Sequence, residues 1–105
     1  MITTNNNDIM RNGTKIGWMV GDYFFDHTGK KIGFATSDNF VYDEASGRKL
    51  AHIDGDFVYD PNTGARSRLE DSVSGIESSS LSDIKRVAIK IFFGNLSTII
   101  VPVIV

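Results

Sequence analysis

The sequence predicts a mainly β fold, with four β-hairpin repeats set around a pseudo-four-fold axis, then a C-terminal amphipathic helix and an apolar strand. Three observations predict it. Turn glycines recur at Gly13, Gly29, Gly47 and Gly64, spaced by 16, 18 and 17 residues. A near-constant period marks one supersecondary unit used again. Short aromatic and β-branched runs precede three of those turns, and such residues favour strands. Farther on, Leu81, Ile84, Val87, Ala88, Ile91 and Phe92 recur at the three-four spacing of an amphipathic helix. The 105 residues, 41% hydrophobic and 23% charged, suit one domain over 1–105 and exclude global disorder.

The first elements are the hairpins, over 7–70. Their first strands are carried by Tyr23-Phe24-Phe25, Phe40-Val41-Tyr42 and Phe57-Val58-Tyr59. Each turn opens on Asn12, Asp26, Asp43 or Asp60, whose side chain can bond the turn backbone, and the glycine that follows supplies a positive φ. The second strands are expected to alternate, with Ile16/Trp18, Ile32/Phe34, Leu50/His52 and Ser67/Leu69 on one face. Between those pairs stand Gly17, Gly33, Ala51 and Arg68; three of the four are small, as close packing on the other face requires. Tyr23, Phe25, Phe40, Tyr42, Phe57 and Tyr59 share one alternation and Phe24, Val41 and Val58 the other. Both faces are apolar, which predicts burial on both sides.

One hairpin is marginal in water, whereas four can bury their apolar faces together. The repeat, an aromatic-Tyr-Asp turn followed by Gly-basic-x-apolar, resembles the small four-fold β-flower domains. Val41-Tyr42-Asp43 with Gly47-Arg48-Lys49-Leu50, and Val58-Tyr59-Asp60 with Gly64, are also similar to the Tyr-Asp repeats of large Rhs-type shells. The β-flower resemblance implies the four-fold arrangement and no catalytic residues. The first and fourth units depart from the pattern, with Arg11-Asn12 in place of Tyr-Asp and with Ser67 and Arg68 in the second strand.

Next comes a serine-rich connection over 71–80. A helix is expected over 80–94, capped by Ser80 with Asp83 three residues on, and stopped at Gly94. It most simply covers one face of the hairpins. The tail over 96–105, Leu96-Ser97-Thr98-Ile99-Ile100-Val101-Pro102-Val103-Ile104-Val105, reads as a strand that pairs within the domain or across a homo-oligomer interface. Pro102 and the β-branched run weigh against a membrane helix there.

Chemistry is sparse. The absence of cysteine excludes disulfides, Cys-ligated zinc, iron–sulfur clusters and thiol catalysis. Neither a metal nor a cofactor is expected. His27 sits in an Asp-His-Thr-Gly turn, and His52 takes the position of Trp18 and Phe34, so neither builds a nucleophile–base pair. Asp60-Pro61-Asn62-Thr63-Gly64 lacks the ligands of a calcium loop and reads as a structural turn. One constellation stands out. Lys15, Lys31, Lys49 and Arg66 each lie two residues after a turn glycine, so they should project from one face, either as a site for an anion or a partner or as strand-edge charges that deter aggregation and pair with neighbouring acids. A net charge of −2 argues against nucleic acid as that partner.

The expectation is a small non-enzymatic binding or assembly module with a protein partner. Lack of cysteine and of a signal-peptide pattern points to the cytoplasm. Rival readings are an acidic inhibitor or immunity-type protein, an enzyme built on His52 and a nearby Asp, and a tail-anchored membrane protein.

Overall fold

The computed structural model describes residues 1–78 and 80–94; the strand expected over 96–105 lies outside them. The protein is mainly β with a C-terminal helix. Among the described residues ten strands form one sheet: β1 (Ile2–Asn5), β2 (Asp8–Arg11), β3 (Thr14–Val20), β4 (Tyr23–Asp26), β5 (Lys31–Ala35), β6 (Phe40–Asp43), β7 (Lys49–Asp54), β8 (Phe57–Tyr59), β9 (Arg66–Arg68) and, after a short helix α1 (Leu69–Ser72), β10 (Ile76–Glu77). The helix α2 (Asp83–Phe93) follows. The strand order is β10-β1-β2-β3-β4-β5-β6-β7-β8-β9. All pairs are antiparallel except β1 with β10.

The four expected hairpins are β2–β3, β4–β5, β6–β7 and β8–β9, joined by tight turns into a meander. At Asn39 (φ 69) an asparagine adopts the left-handed conformation that Gly21 and Gly55 supply in the neighbouring connections. Three elements, β1, α1 and β10, go beyond the sequence reading. The polar N-terminus forms β1, and the serine-rich connection contains the end of α1 and all of β10.

Chain length dictates a bend. From Arg68 to Ile76 the backbone can reach at most about 28 Å. Those residues belong to strands nine steps apart, about 43 Å across a flat sheet. The sheet therefore curls, and α1 bridges its ends: Ser72 Oγ donates to Arg68 O at 2.9 Å, while the amide of Ile2 donates to Gly75 O at 2.8 Å.

Three β-bulges decide which side chains face inward. The register passes from Ile9↔Gly17 to Met10↔Lys15, from Phe24↔Gly33 to Phe25↔Lys31, and from Val41↔Ala51 to Tyr42↔Lys49. Ile16, Ile32 and Leu50 are the extra residues, and all three pack on the core. The expected pairing of Ile16 with Trp18, Ile32 with Phe34 and Leu50 with His52 on one face is thereby corrected. A bulge breaks the two-residue alternation and puts consecutive side chains on one side. The fourth unit has no bulge. Ser67 faces Val58 and Arg68 faces Phe57. Ser67 thus holds the small position, Arg68 holds the aromatic one, and Leu69 belongs to α1, where the sequence alignment had put Arg68, Leu69 and Ser67 one step off.

The inner face carries Ile9, Phe24, Val41 and Val58, all fully buried, with Ala35, Ala51 and Met19. Against them lie Ile84, Val87, Ala88, Ile89 and Ile91 of α2. Gly17 and Gly33 make room for the end of the helix. A Cβ on Gly17 would stand 2.6 Å from the Phe93 ring, and one on Gly33 would overlap Phe92. Burying each large side chain here contributes about 1.5–3 kcal/mol.

The helix begins later than expected. Its N-cap is Ser82, not Ser80, and no side chain caps it. The carboxylate of Asp83 instead accepts from Arg86 Nη2 at 2.8 Å, which removes it from any capping box. Gly94 ends the helix as expected, its amide donating to Lys90 O at 3.0 Å. No helix among the described residues is long and apolar enough to cross a membrane.

Candidate functional site: a cation–aromatic outer wall

The helix covers one face of the sheet only. The other face, expected to be buried as well, is an outer wall paved with half-buried rings. Cross-strand pairing sorts them into slanted rows. The first runs Asp8–Trp18–Phe25–Lys31. The second runs Tyr23–Phe34–Tyr42–Lys49. The third runs Phe40–His52–Tyr59–Arg66. Phe57–Arg68 begins a fourth at the sheet edge. Each complete row ends on a cation, and each bulge offsets the next row.

Within each complete row one cross-strand pair of rings stacks, while Tyr23 and Phe34 at the head of the second row are tilted by 52°. Phe34 and Tyr42 have centroids 4.9 Å apart at 10°, and Phe40 and His52 are 4.1 Å apart at 13°. Parallel rings so close lie face over face, so they stand upright on the sheet with their edges outward. Trp18 and Phe25 are parallel within 7° at 5.8 Å. Such pairs add about 0.5–1.5 kcal/mol beyond their burial.

The four cations singled out from the sequence all lie on this wall, each over a ring. Lys15 Nζ is 4.9 Å from the Trp18 centroid, Lys31 4.4 Å from Tyr23 and Lys49 4.5 Å from Phe40, while Arg66 Cζ is 4.3 Å from Phe57. Lys31, Lys49 and Arg66 each close one row and cover the ring that heads the next. A cation over a ring is attracted to its negative face, an effect of about 0.5–1 kcal/mol at exposed sites.

The cations differ in their counter-charges. Lys15 pairs with Asp8 at 3.1 Å, and Lys31 with Glu44 at 3.3 Å. That ion pair also compensates Glu44 Oε1, a buried oxygen without a hydrogen bond. Among the described residues, neither Lys49 nor Arg66 has a carboxylate within ion-pair distance. Arg66 Nη1 has a long hydrogen bond, 3.5 Å, to Tyr59 Oη.

The turn residues hold the rows in place. Asp26 Oδ1 accepts from Thr28 Oγ1 at 2.5 Å and from the amides of Thr28 and Lys30. The Thr28 hydroxyl, ahead of the two amides, lowers the carboxyl below its usual range. Asp60 is also lowered: burial pushes it up, but the amide and side chain of Asn62 and the Thr63 donors outweigh that. Asp43 Oδ2 accepts from the Ser46 amide at 3.0 Å and from its hydroxyl at 2.7 Å. Asn12 (φ 51) and Gly13 (φ 82) make the tight first turn, and Gly29, Gly47 and Gly64 all have positive φ.

The alternation expected from the sequence sets Trp18, Phe34 and His52 on one face with Ile16, Ile32 and Leu50. The structure puts them on the wall, in register with Phe25, Tyr42 and Tyr59. The regular recurrence of Lys15, Lys31, Lys49 and Arg66 was a signal for that wall. The rows were hidden, because they exist only once the bulges set the register. His27 is exposed in its turn, and neither histidine lines the surface hollows of about 590 and 430 Å³ beside the start of α2. No group of His, Asp and Glu among the described residues could hold a metal ion.

No protein-family model matches the chain, and no curated protein and no solved structure is significantly similar to it.

Proposed function

We propose that the protein is a small non-enzymatic module that binds a protein partner through its outer wall. In this reading the four hairpins are disposed about a pseudo-four-fold axis, with α2 near that axis. Support for the disposition comes from the short link between β9 and β10 and from the reach of α2. At one end Phe93 meets Gly17; at the other Lys85 pairs with Asp22 at 3.6 Å. The observation that carries the binding role is the repetition of one device, a cation seated on a ring, across a sheet face that no described element covers. A face needed only for solubility has no use for stacked rings, which are costly to leave partly wet. Upright rings on a rigid sheet are pre-ordered, so binding to them forfeits little side-chain entropy.

Site-specific photo-crosslinking in cells tests the proposal. A benzophenone side chain placed at Tyr42, on the wall, should yield one defined protein adduct. The same group at Asp54, in a connecting turn, should not. Equal adducts from both positions, or none from Tyr42, would remove the wall as the working surface.

A further inference from the structure

We infer that the partner presents an acidic protein segment, recognised chiefly by Lys49 and Arg66. The inference rests on the binding role given to the wall and adds the chemistry of what it binds. The counter-charges decide the place. Lys15 of the first unit is paired with Asp8 and Lys31 of the second with Glu44 from the third, whereas, among the described residues, Lys49 and Arg66 lie over rings without a carboxylate, Arg66 keeping its long hydrogen bond to Tyr59 Oη. A ring quadrupole compensates a cation less than a carboxylate does, so Lys49 and Arg66 gain most from an incoming anion.

The rings decide the kind of anion. Stacking with a nucleobase needs a free aromatic face. On this wall Phe34 faces Tyr42, Phe40 faces His52, and Lys49 and Arg66 cover further faces of Phe40 and Phe57. The stacked pairs beside Lys49 thus turn ring edges outward, and edges suit apolar side chains and carboxylates better than bases. A segment with spaced Asp or Glu and apolar residues between them meets both the edges and the two cations.

The test uses the full chain and dye-labelled poly-L-glutamate, read by fluorescence anisotropy at low and at physiological salt. Binding should weaken as salt rises. The double variant Lys49→Glu, Arg66→Glu should bind about tenfold more weakly, two lost surface ion pairs being worth up to about 1 kcal/mol each. Lys30→Glu, Arg48→Glu carries the same net charge with both changes in the turns, and should stay within about twofold of the parent. Lys49→Gln, Arg66→Gln should show a smaller loss of the same sign and serves if charge reversal unfolds the chain, as judged by circular dichroism. Equal losses in the wall and turn variants would overturn the inference, as would the absence of poly-L-glutamate binding. Tighter binding of oligothymidylate at matched charge would transfer the site to single-stranded nucleic acid and overturn it too. If any of these occurs while the Tyr42 crosslink persists, the wall remains the working surface and only the acidic chemistry falls.

Discussion

Gly33 shows how much one absent methyl group decides. A Cβ there would overlap the Phe92 ring and come within 2.5 Å of Tyr42 O. The φ of Gly33 is not the reason for glycine; the approach of the Phe92 ring and of the Tyr42 carbonyl on the neighbouring strand is. Gly33→Ala should therefore destabilise the fold by about 1–3 kcal/mol, the cost of overpacking a filled core. Urea titration followed by Trp18 fluorescence measures it, and an unchanged midpoint would mean that Phe92 does not rest on β5. At Asp60 the prediction concerns pH. Its carboxyl is lowered in the folded protein, so it stabilises the fold above its ordinary value of 3.8 and loses that contribution as pH falls through the folded value. The parent should lose stability from about pH 4 downward, and Asp60→Asn should show a flatter acid limb in urea midpoints taken across pH. Both positions were legible in part. The Asp-to-Gly turns are local chemistry, visible in five or six residues. The need for a small residue at Gly33 was visible as a pattern, but the helix that imposes it lies about 60 residues on.

Among the elements, the body of α2 and the hairpin turns are more legible in the sequence than the strand faces, and the bulges explain why. Alternation predicts that Leu50 and His52 share a side, yet Leu50 packs on the core and His52 stacks on Phe40. The extra residue lets a six-residue strand serve both faces. Deleting Leu50 should leave unit three paired as unit four is, with Ala51 opposite Val41 and Lys49 opposite Tyr42. The deletion should cost about 1.5–3 kcal/mol of lost apolar burial while His52 stays stacked on Phe40. Nuclear Overhauser contacts between those rings check it; their loss with the fold retained would mean that the strand slips by one residue instead. The start of α2 was misread for a different reason. Ser80 and Ser82 both suit an N-cap, and Arg86 claims the Asp83 carboxylate that would have favoured the earlier one. Deeper in α2, Ile89 is fully buried, so Ile89→Ala should cost about 2–5 kcal/mol in denaturant titrations.

The whole molecule behaves unlike a row of independent repeats, and that separates the curled sheet from an extended one. In a linear array each unit contacts only its neighbours, so end units fray first. Here α2 touches units that are apart in the strand order: Phe93 rests against Gly17 in unit one, Phe92 against Gly33 in unit two, and Lys90 donates to the oxygens of Ser74, next to β10. On the far side α1 ties unit four to the core, with Ser67 Oγ and Ser72 Oγ 2.6 Å apart. The sequence displayed the repeats but not this closure, because β1 and β10 are short, polar and outside the repeat. Coupling of this kind predicts one cooperative transition. Trp18, the chain's one tryptophan, reports unit one. A second protein carrying Tyr59→Trp with Trp18→Phe reports unit four. In each protein the tryptophan signal and the far-ultraviolet circular dichroism should share a single urea midpoint and slope. An earlier midpoint by tryptophan in the second protein alone would show unit four melting ahead of the sheet, and the curled sheet tied by α1 would give way to an open array with a free end.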